Sequence, residues 1–185
     1  RVQPETPVES QDRDQFQTPN YATDLIVPFI PRTPNRNNCI WEPCCGENEK
    51  MAGRLWHHGY GIIASDLCNG EKYNALTWIP EHNWACAITN PPFSLKAKIV
   101  KRFIQLDKPF AFLVPGDWSR WIIDAISISG CQMLVPSRRI NYITPTGKSG
   151  KESAAQFHSV WLTRYFNLLH AITFVELSKE MMLNI

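Results

Sequence analysis

The chain has 185 residues, of which 44% are hydrophobic and 19% charged, so it has enough apolar side chains for a sizeable core and differs from disordered or collagen-like chains. Its net charge of +2 excludes an overall polycation. No apolar run approaches the roughly 18 residues of a membrane span, and the first residues lack the apolar core of a signal peptide. We therefore expect an intracellular, cytoplasmic protein with no membrane partner.

The positions of the charged residues and cysteines indicate which kinds of ligand the chain could bind. Residues 94–151 hold 10 of the 19 basic side chains but only 3 of the 17 acidic ones, so this basic block is the candidate surface for an anionic partner. The six cysteines include no CxxC pair, and no His/Cys set has the spacing of a zinc site. We expect reduced thiols and predict no metal site.

The elements in chain order predict an α/β protein. Residues 1–15 are polar and lack apolar periodicity, so they are predicted to form a flexible N-terminal arm. Thr18-Pro19 begins a short helix that ends near Pro28. Short apolar runs then alternate with helical patterns, which predicts strands at 39–41, 61–65, 85–89 and 110–114 and helices near 49–57, 94–106 and 118–129. Strands separated by helices predict a Rossmann-like, doubly wound, mostly parallel sheet.

The last third of the chain departs from that alternation. Residues 132–135 and 157–165 are rich in strand-forming residues and are joined by a polar loop, which predicts an antiparallel hairpin at one edge of the sheet. Residues 16–185 are thus predicted to form a single domain without a separate target-recognition domain.

Two residues that follow predicted strands favour an adenosine-containing cofactor. In an open parallel sheet, ligands bind beyond the carboxyl ends of the strands. Gly46, after the first strand, would let a ligand approach the backbone closely. Asp66, after the second strand, can accept hydrogen bonds from ribose hydroxyls.

The sharpest motif is Asn90-Pro91-Pro92-Phe93, after the third predicted strand. Two prolines fix φ and remove two N–H donors, so the turn is stiff and presents carbonyl acceptors. A planar amino group held between the Asn90 side chain and the Pro91 carbonyl would donate both its hydrogens, which leaves its lone pair better placed to attack an electrophilic methyl group. Phe93 offers an aromatic face on which a planar base or amide can stack.

These motifs, in this order, resemble those of the S-adenosylmethionine-dependent amino-methyltransferases, especially the small phage-type N6-adenine methyltransferases of DNA. The resemblance covers about residues 14–165 and rests on Phe16-x-Thr18-Pro19, Glu42-Pro43-x-x-Gly46, Asp66 and the Asn-Pro-Pro-Phe motif. It implies the class I methyltransferase fold, S-adenosylmethionine as cofactor, and direct in-line methyl transfer to the N6 amino group of adenine in DNA.

The resemblance also implies a role for each matched residue. The motif at 90–93 would hold the target amine. The implied cofactor-binding residues are Phe16, Thr18, Glu42, Pro43, Cys44 and Gly46 around the methionine part, Asp66 at the ribose, and Asn74 and Ala75 at the adenine, together with Leu67 and Asn90. Asn48 and Asn74 depart from the Gly and Asp that are usual in the family.

The predicted nucleic-acid surface lies in the basic block, where cations can contact phosphates and aromatic rings can stack on bases. It consists of Trp118, Arg120, Arg138, Arg139, Tyr142, Lys148 and Lys151. A duplex target would have to flip its adenine out of the stack, at a cost of a few kcal/mol. Without a recognition domain, specificity would be short, loose or supplied by a partner subunit.

Two other functional classes stay open at this stage. The same turn suits a planar amide, so the acceptor could be a protein glutamine or an RNA adenine instead of DNA. Alternatively, the departures at Asn48 and Asn74 would make the chain a degenerate, cofactor-free nucleic-acid-binding module.

Overall fold

The computed structural model describes residues 16–31, 39–144, 147 and 157–185. The helices are α1 (Asn20–Ile26), α2 (Lys50–His57), α3 (Lys96–Leu106) and α4 (Arg120–Ser127). The strands are β1 (Cys39–Glu42), β2 (Gly61–Ala64), β3 (Cys86–Thr89), β4 (Phe110–Pro115), β5 (Gln132–Pro136), β6 (Ser159–Arg164) and β7 (Ile172–Val175). The predicted arm at 1–15 lies outside the described residues.

The strands form one seven-stranded sheet in the order β2-β1-β3-β4-β6-β5-β7. Neighbours pair in parallel, except that β6 is antiparallel to both β4 and β5. All strands except β6 therefore point in one direction. This order and these directions confirm the predicted mostly parallel α/β fold of the class I methyltransferase type.

Both faces of the sheet are covered, which confirms that it is doubly wound. Side chains of successive strand residues point to opposite faces, and Ile40 and Trp41 of β1 accordingly belong to different apolar clusters. The Ile40 cluster includes Leu25 of α1 and Leu55 of α2. The Trp41 cluster includes residues of α3 and α4, among them Phe103. Helices thus lie on each side of the sheet, whose central strands β3 and β4 are fully buried.

The late hairpin differs from the prediction in its position. β5 and β6 pair in antiparallel fashion, as expected, with Leu134 opposite Trp161. The pair does not form the edge of the sheet, because β7 adds in parallel to β5 from Met133–Ile172 to Pro136–Val175. Strand β7 was not predicted: it is only four residues long, and its exposed positions, Ile172 and Phe174, are apolar, so it lacks the usual alternation of buried apolar and exposed polar residues.

The strand directions place the loops that matter for a ligand at one edge of the sheet. The carboxyl ends of β1 to β5 meet there, and the reversed strand β6 begins there. We call this side the carboxyl edge. Within the described residues, the helices are too short or too polar to cross a bilayer.

The start of the turn after β4 is packed tightly enough to test. A methyl group added at Gly116 would lie 2.9 Å from Val160 Cγ1 and 3.1 Å from the His158 carbonyl oxygen. We expect Gly116→Ala to lower the free energy of unfolding by about 1–3 kcal/mol through overpacking. Gly53→Ala is the matched control, because Gly53 lies in α2 and the added methyl has no atom within 4 Å apart from its chain neighbours and its own helix backbone. This variant should gain up to about 1 kcal/mol from helix propensity. Urea denaturation measures both; equal effects would contradict the packing.

Candidate active site

A cavity of about 550 Å³ opens at the carboxyl edge, between the turns that follow β1, β2 and β3. This volume is in the range of small-molecule sites. Its lining includes every residue that the sequence suggested for the cofactor: Phe16, Thr18, Glu42, Pro43, Cys44, Gly46, Asp66, Leu67, Asn74, Ala75 and Asn90.

One carboxylate joins the turn after β1 to the turn after β2. The backbone N–H of Gly46 donates to Asp66 Oδ2 at 2.9 Å, and the N–H of Cys68 donates to Asp66 Oδ1 at 2.9 Å. Beside them, the Cys45 N–H donates to the Ser65 carbonyl oxygen at 3.1 Å. Gly46 has a φ of +65°, in the left-handed region that favours glycine. Each carboxylate oxygen accepts more than one hydrogen bond, so Asp66 keeps capacity for a ligand hydroxyl.

Glu42 contributes a buried carboxyl group to this cavity. The residue is only 2% exposed, and its Oε2 atom has no hydrogen-bond partner among the described residues. Burial raises the pKa of Glu42 well above its usual 4.5; the negative charges of Glu49 and Asp66 raise it further, and the Ala52 backbone hydrogen bond acts in the opposite direction. An unsatisfied buried carboxyl oxygen is costly. Glu42 therefore carries a buried polar oxygen that no group in the described chain compensates.

Asn90 directly follows β3 and reaches the cavity from the neighbouring strand. Its Oδ1 atom is buried and has no hydrogen-bond partner within the described chain. Pro92 also lines the cavity, whereas Pro91 is buried beside it and, with Phe93, is absent from the lining. The Phe93 ring packs edge-to-face against Phe157, with ring centroids 5.1 Å apart. The structure therefore places Asn90 in the cavity wall, with its amide oxygen buried, and packs Phe93 against Phe157.

Phe16 and Thr18 reach the cavity through a backbone bridge. Gln17 and Ile143 exchange two N–H to carbonyl hydrogen bonds, both at 2.9 Å. This bridge fixes the aromatic-x-Thr-Pro element against the segment that follows β5.

Asn74 takes part in a local turn. Its Oδ1 accepts the Leu76 N–H at 2.9 Å, so its NH₂ group is the part that can donate to a ligand.

The cysteines near the cavity are poor nucleophiles. All six lie within the described ranges and are free thiols. Burial raises the pKa of Cys44 well above its usual range and that of Cys45 to about 12, with the charges of Glu42 and Asp66 acting in the same direction. Because the thiolate is the reactive form, these groups serve packing. The described residues contain no cluster of three or more side chains suited to a metal ion.

The residues predicted to bind nucleic acid differ in their positions and contacts. Trp118, which is 65% exposed, follows β4, and the exposed Arg138 and Arg139 follow β5, so these three lie at the carboxyl edge. Arg120 is also exposed, but its Nε donates to both carboxylate oxygens of Asp124 at 2.8 and 3.0 Å. Lys148 and Lys151 lie outside the described residues.

The prediction that Tyr142 belongs to the nucleic-acid surface is wrong, because its ring is buried. It is 2% exposed, and its hydroxyl shares a hydrogen bond with Ser159 Oγ at 2.8 Å. Its ring belongs to the core cluster beneath α1 and contacts Phe93 edge-to-face at 6.4 Å. A ring in this position has no face available to a base.

Several cavity residues were missed by the sequence analysis. They are Gln17, Cys45, Glu47, Lys50, Met51, Cys68, Ser94, Leu95 and Ile99. Lys50 and Met51 open α2, directly after the turn that carries Gly46. Ligands of such sheets contact the first turn of the helix that follows the glycine turn. The position of Lys50 and Met51 in that turn could therefore have identified them from the sequence. Leu95 and Ile99 gave no such signal, because their apolar pattern is also that of core residues.

Comparison with known proteins yields fold-level similarity only. No protein-family model matches the chain, and no curated protein matches it. Among solved structures, a predicted O-methyltransferase from Agrobacterium tumefaciens is similar over 85% of each chain, with 10% identity and a TM-score of 0.40. A "putative methyltransferase" from Thermoplasma acidophilum is similar over 74% of this chain and 60% of its own, with 16% identity and a TM-score of 0.30. Both similarities are weak, and the fold class rests on the strand order and directions.

Burial of Glu42 predicts how stability depends on pH. Its pKa is raised in the folded protein, so above pH 4.5 the folded state binds more protons than the unfolded state. The free energy of unfolding then falls as pH rises, by up to about 1.4 kcal/mol per pH unit, until the raised pKa is reached. Glu42→Gln keeps the shape of the side chain but does not ionise, so its free energy of unfolding should not fall with pH in this way. The ligand-free variant should therefore be more stable than wild type at neutral pH and similarly stable near pH 4. Thermal unfolding across that range checks this; parallel curves would contradict it.

Proposed function

We propose that this protein is an S-adenosylmethionine-dependent methyltransferase that methylates the N6 amino group of adenine in DNA. The observation that carries the proposal is that two residues lining one cavity, Glu42 and Asn90, each have a buried side-chain oxygen without a hydrogen-bond partner in the described chain. A carboxyl oxygen suits a cationic ligand, and an amide oxygen suits an amino-group donor.

The residues of the cavity fit the cofactor. Acidic Glu42 suits the positively charged methionine part, and Asp66 can accept hydrogen bonds from ribose hydroxyls. The NH₂ group of Asn74 can donate to a ring nitrogen of the adenine. When bound there, S-adenosylmethionine supplies an electrophilic methyl group.

The role of the protein in the proposed reaction is to orient the target amine. Asn90 Oδ1 accepts one amino hydrogen, and the carbonyl of Pro91 is proposed to accept the other. Both bonds direct the nitrogen lone pair toward the methyl group, so that catalysis comes from alignment and polarisation. Phe93 is proposed to support the plane of the target from the adjacent aromatic cluster.

The charge distribution favours nucleic acid as the acceptor. Acidic Glu42, Glu47 and Asp66 line the cavity, whereas Arg138 and Arg139 stand exposed further along the same edge. Phosphates contribute most of the affinity in nucleic-acid complexes. Trp118 adds an exposed ring for stacking.

Asn90→Ala tests the amine clamp. The variant should bind S-adenosylmethionine within a few-fold of wild type but lose about 100-fold or more in turnover, the usual cost of removing one aligned hydrogen-bond partner in an active site. Asn90→Asp keeps an acceptor oxygen and should lose less. Calorimetric titration and transfer of a labelled methyl group to DNA measure the two effects, and undiminished turnover in Asn90→Ala would refute the clamp.

The proposed DNA contact of the basic residues after β5 can be tested by comparing two double variants that each remove two positive charges. Arg138→Ala/Arg139→Ala should weaken DNA binding and reduce the slope of log K against log salt by up to about 1.8, or 0.9 per phosphate contact. Lys98→Ala/Lys101→Ala removes the same charge from the exposed side of α3 and should change the slope less. Equal slopes in the two double variants would place the DNA elsewhere.

The acceptor class is decided by one assay. Labelled S-adenosylmethionine is offered with duplex DNA, single-stranded DNA, RNA and a glutamine-containing peptide. Label in N6-methyladenine of DNA supports the proposal. Label in RNA or in peptide would reassign the substrate, and no binding of S-adenosylmethionine would refute the enzyme.

A further inference from the structure

Three acidic residues line the cavity, and Glu42 differs from the other two in its burial and its hydrogen bonds. Glu47 is exposed at the mouth, and both oxygens of Asp66 accept backbone N–H groups. Glu42, by contrast, is buried and has an Oε2 atom with no partner in the described chain. Lys50 is the one basic residue among the described residues that line the cavity.

We propose that Glu42 carries a proton in the empty cavity and releases it when the positively charged methionine part of S-adenosylmethionine binds. The inference rests on the proposed function, since it assumes that cofactor, and it adds a recognition mechanism: the cavity selects for positive charge by coupling it to a proton.

The surroundings of Glu42 give the physical reason. The carboxyl groups of Glu49 and Asp66 disfavour a further negative charge on Glu42, whereas the Ala52 backbone hydrogen bond acts in the opposite direction. The thiols of Cys44 and Cys45 have raised pKa values and are therefore uncharged. Without a ligand, burial and the two carboxyl neighbours favour the neutral acid. A cation beside Oε2 reverses the balance, because an ion pair with its remaining hydrogen bonds satisfied is far better than a buried lone carboxylate.

The proton balance of the step is simple. The O–H bond of Glu42 breaks, the electron pair stays on the carboxylate, and the proton passes to water and then to buffer. No other bond changes. Because binding releases a proton, affinity for S-adenosylmethionine must rise with pH, by up to about tenfold per unit below the pKa of Glu42 in the empty protein.

Calorimetric titration counts that proton directly. The full chain is titrated with S-adenosylmethionine in phosphate and in imidazole buffer at about pH 6.5, below the α-amino pKa of roughly 8, so that the ligand keeps its own charge. The difference in apparent enthalpy between the buffers gives the number of protons released. We expect release of up to one proton for wild type, with the count rising as the pH of the titration is lowered below the pKa of Glu42 in the empty protein, and about zero for 5′-methylthioadenosine, which lacks the charged methionine part.

Two matched variants assign the proton to its source. Glu42→Gln should bind S-adenosylmethionine about tenfold or more weakly, as expected for losing a charge-assisted contact, and should release no proton. Glu47→Gln removes an exposed carboxyl group from the same cavity and should release the same proton as wild type. Glu42→Gln keeps the side-chain shape, and its folding is checked by the melting curve described above.

The outcomes are separable. Binding of S-adenosylmethionine to wild type without proton release, or unchanged release from Glu42→Gln, overturns this inference and leaves the methyltransferase proposal standing. Proton release with 5′-methylthioadenosine also overturns it, because the trigger would not be positive charge. Failure of the wild-type chain to bind S-adenosylmethionine refutes the proposed function itself, and is recognised because binding, not the proton count, is missing.

Discussion

The carboxylate of Asp66 is the constraint on which the geometry of the cavity depends. Parallel pairing of β1 with β2 brings two turns side by side, and Asp66 accepts one backbone N–H from each of them. This fixes Gly46 in its left-handed conformation and keeps the backbone of that turn open to a ligand. Asp66, which the sequence suggested only as a partner for ribose hydroxyls, therefore also shapes the cavity.

The same cavity leaves polar groups unsatisfied, and this is a cost in stability. The buried oxygens of Glu42 and Asn90 have no partners in the described chain, although most buried polar atoms in folded proteins do. Such violations are concentrated at functional sites, where a ligand completes the hydrogen bonds. The surrounding sheet offsets that cost, because apolar clusters cover both of its faces and every residue of β4 is buried.

The reversed strand β6 organises the other half of the carboxyl edge. It inserts between β4 and β5, so its first residues lie beside the turn that begins at Gly116 and beside the segment after β5. The Gln17–Ile143 bridge then ties that segment to the start of the described chain. Acidic residues of the cavity and exposed arginines after β5 consequently occupy one edge, which is the arrangement expected for the proposed cationic cofactor and anionic substrate.

The sequence by itself determined the alternation of strands and helices and the turns that carry Gly46, Asp66 and Asn90, because hydrophobic period and turn chemistry are local properties. It could not determine which aromatic ring is buried or where an edge lies. Tyr142 became a core residue through contacts with Phe93 and Ser159, and β7 formed a strand through its pairing with β5. The orphaned oxygen of Glu42 also depends on neighbours distant in sequence. Only the tertiary structure decided these features, because burial and strand pairing are set by residues that meet only when the chain has folded.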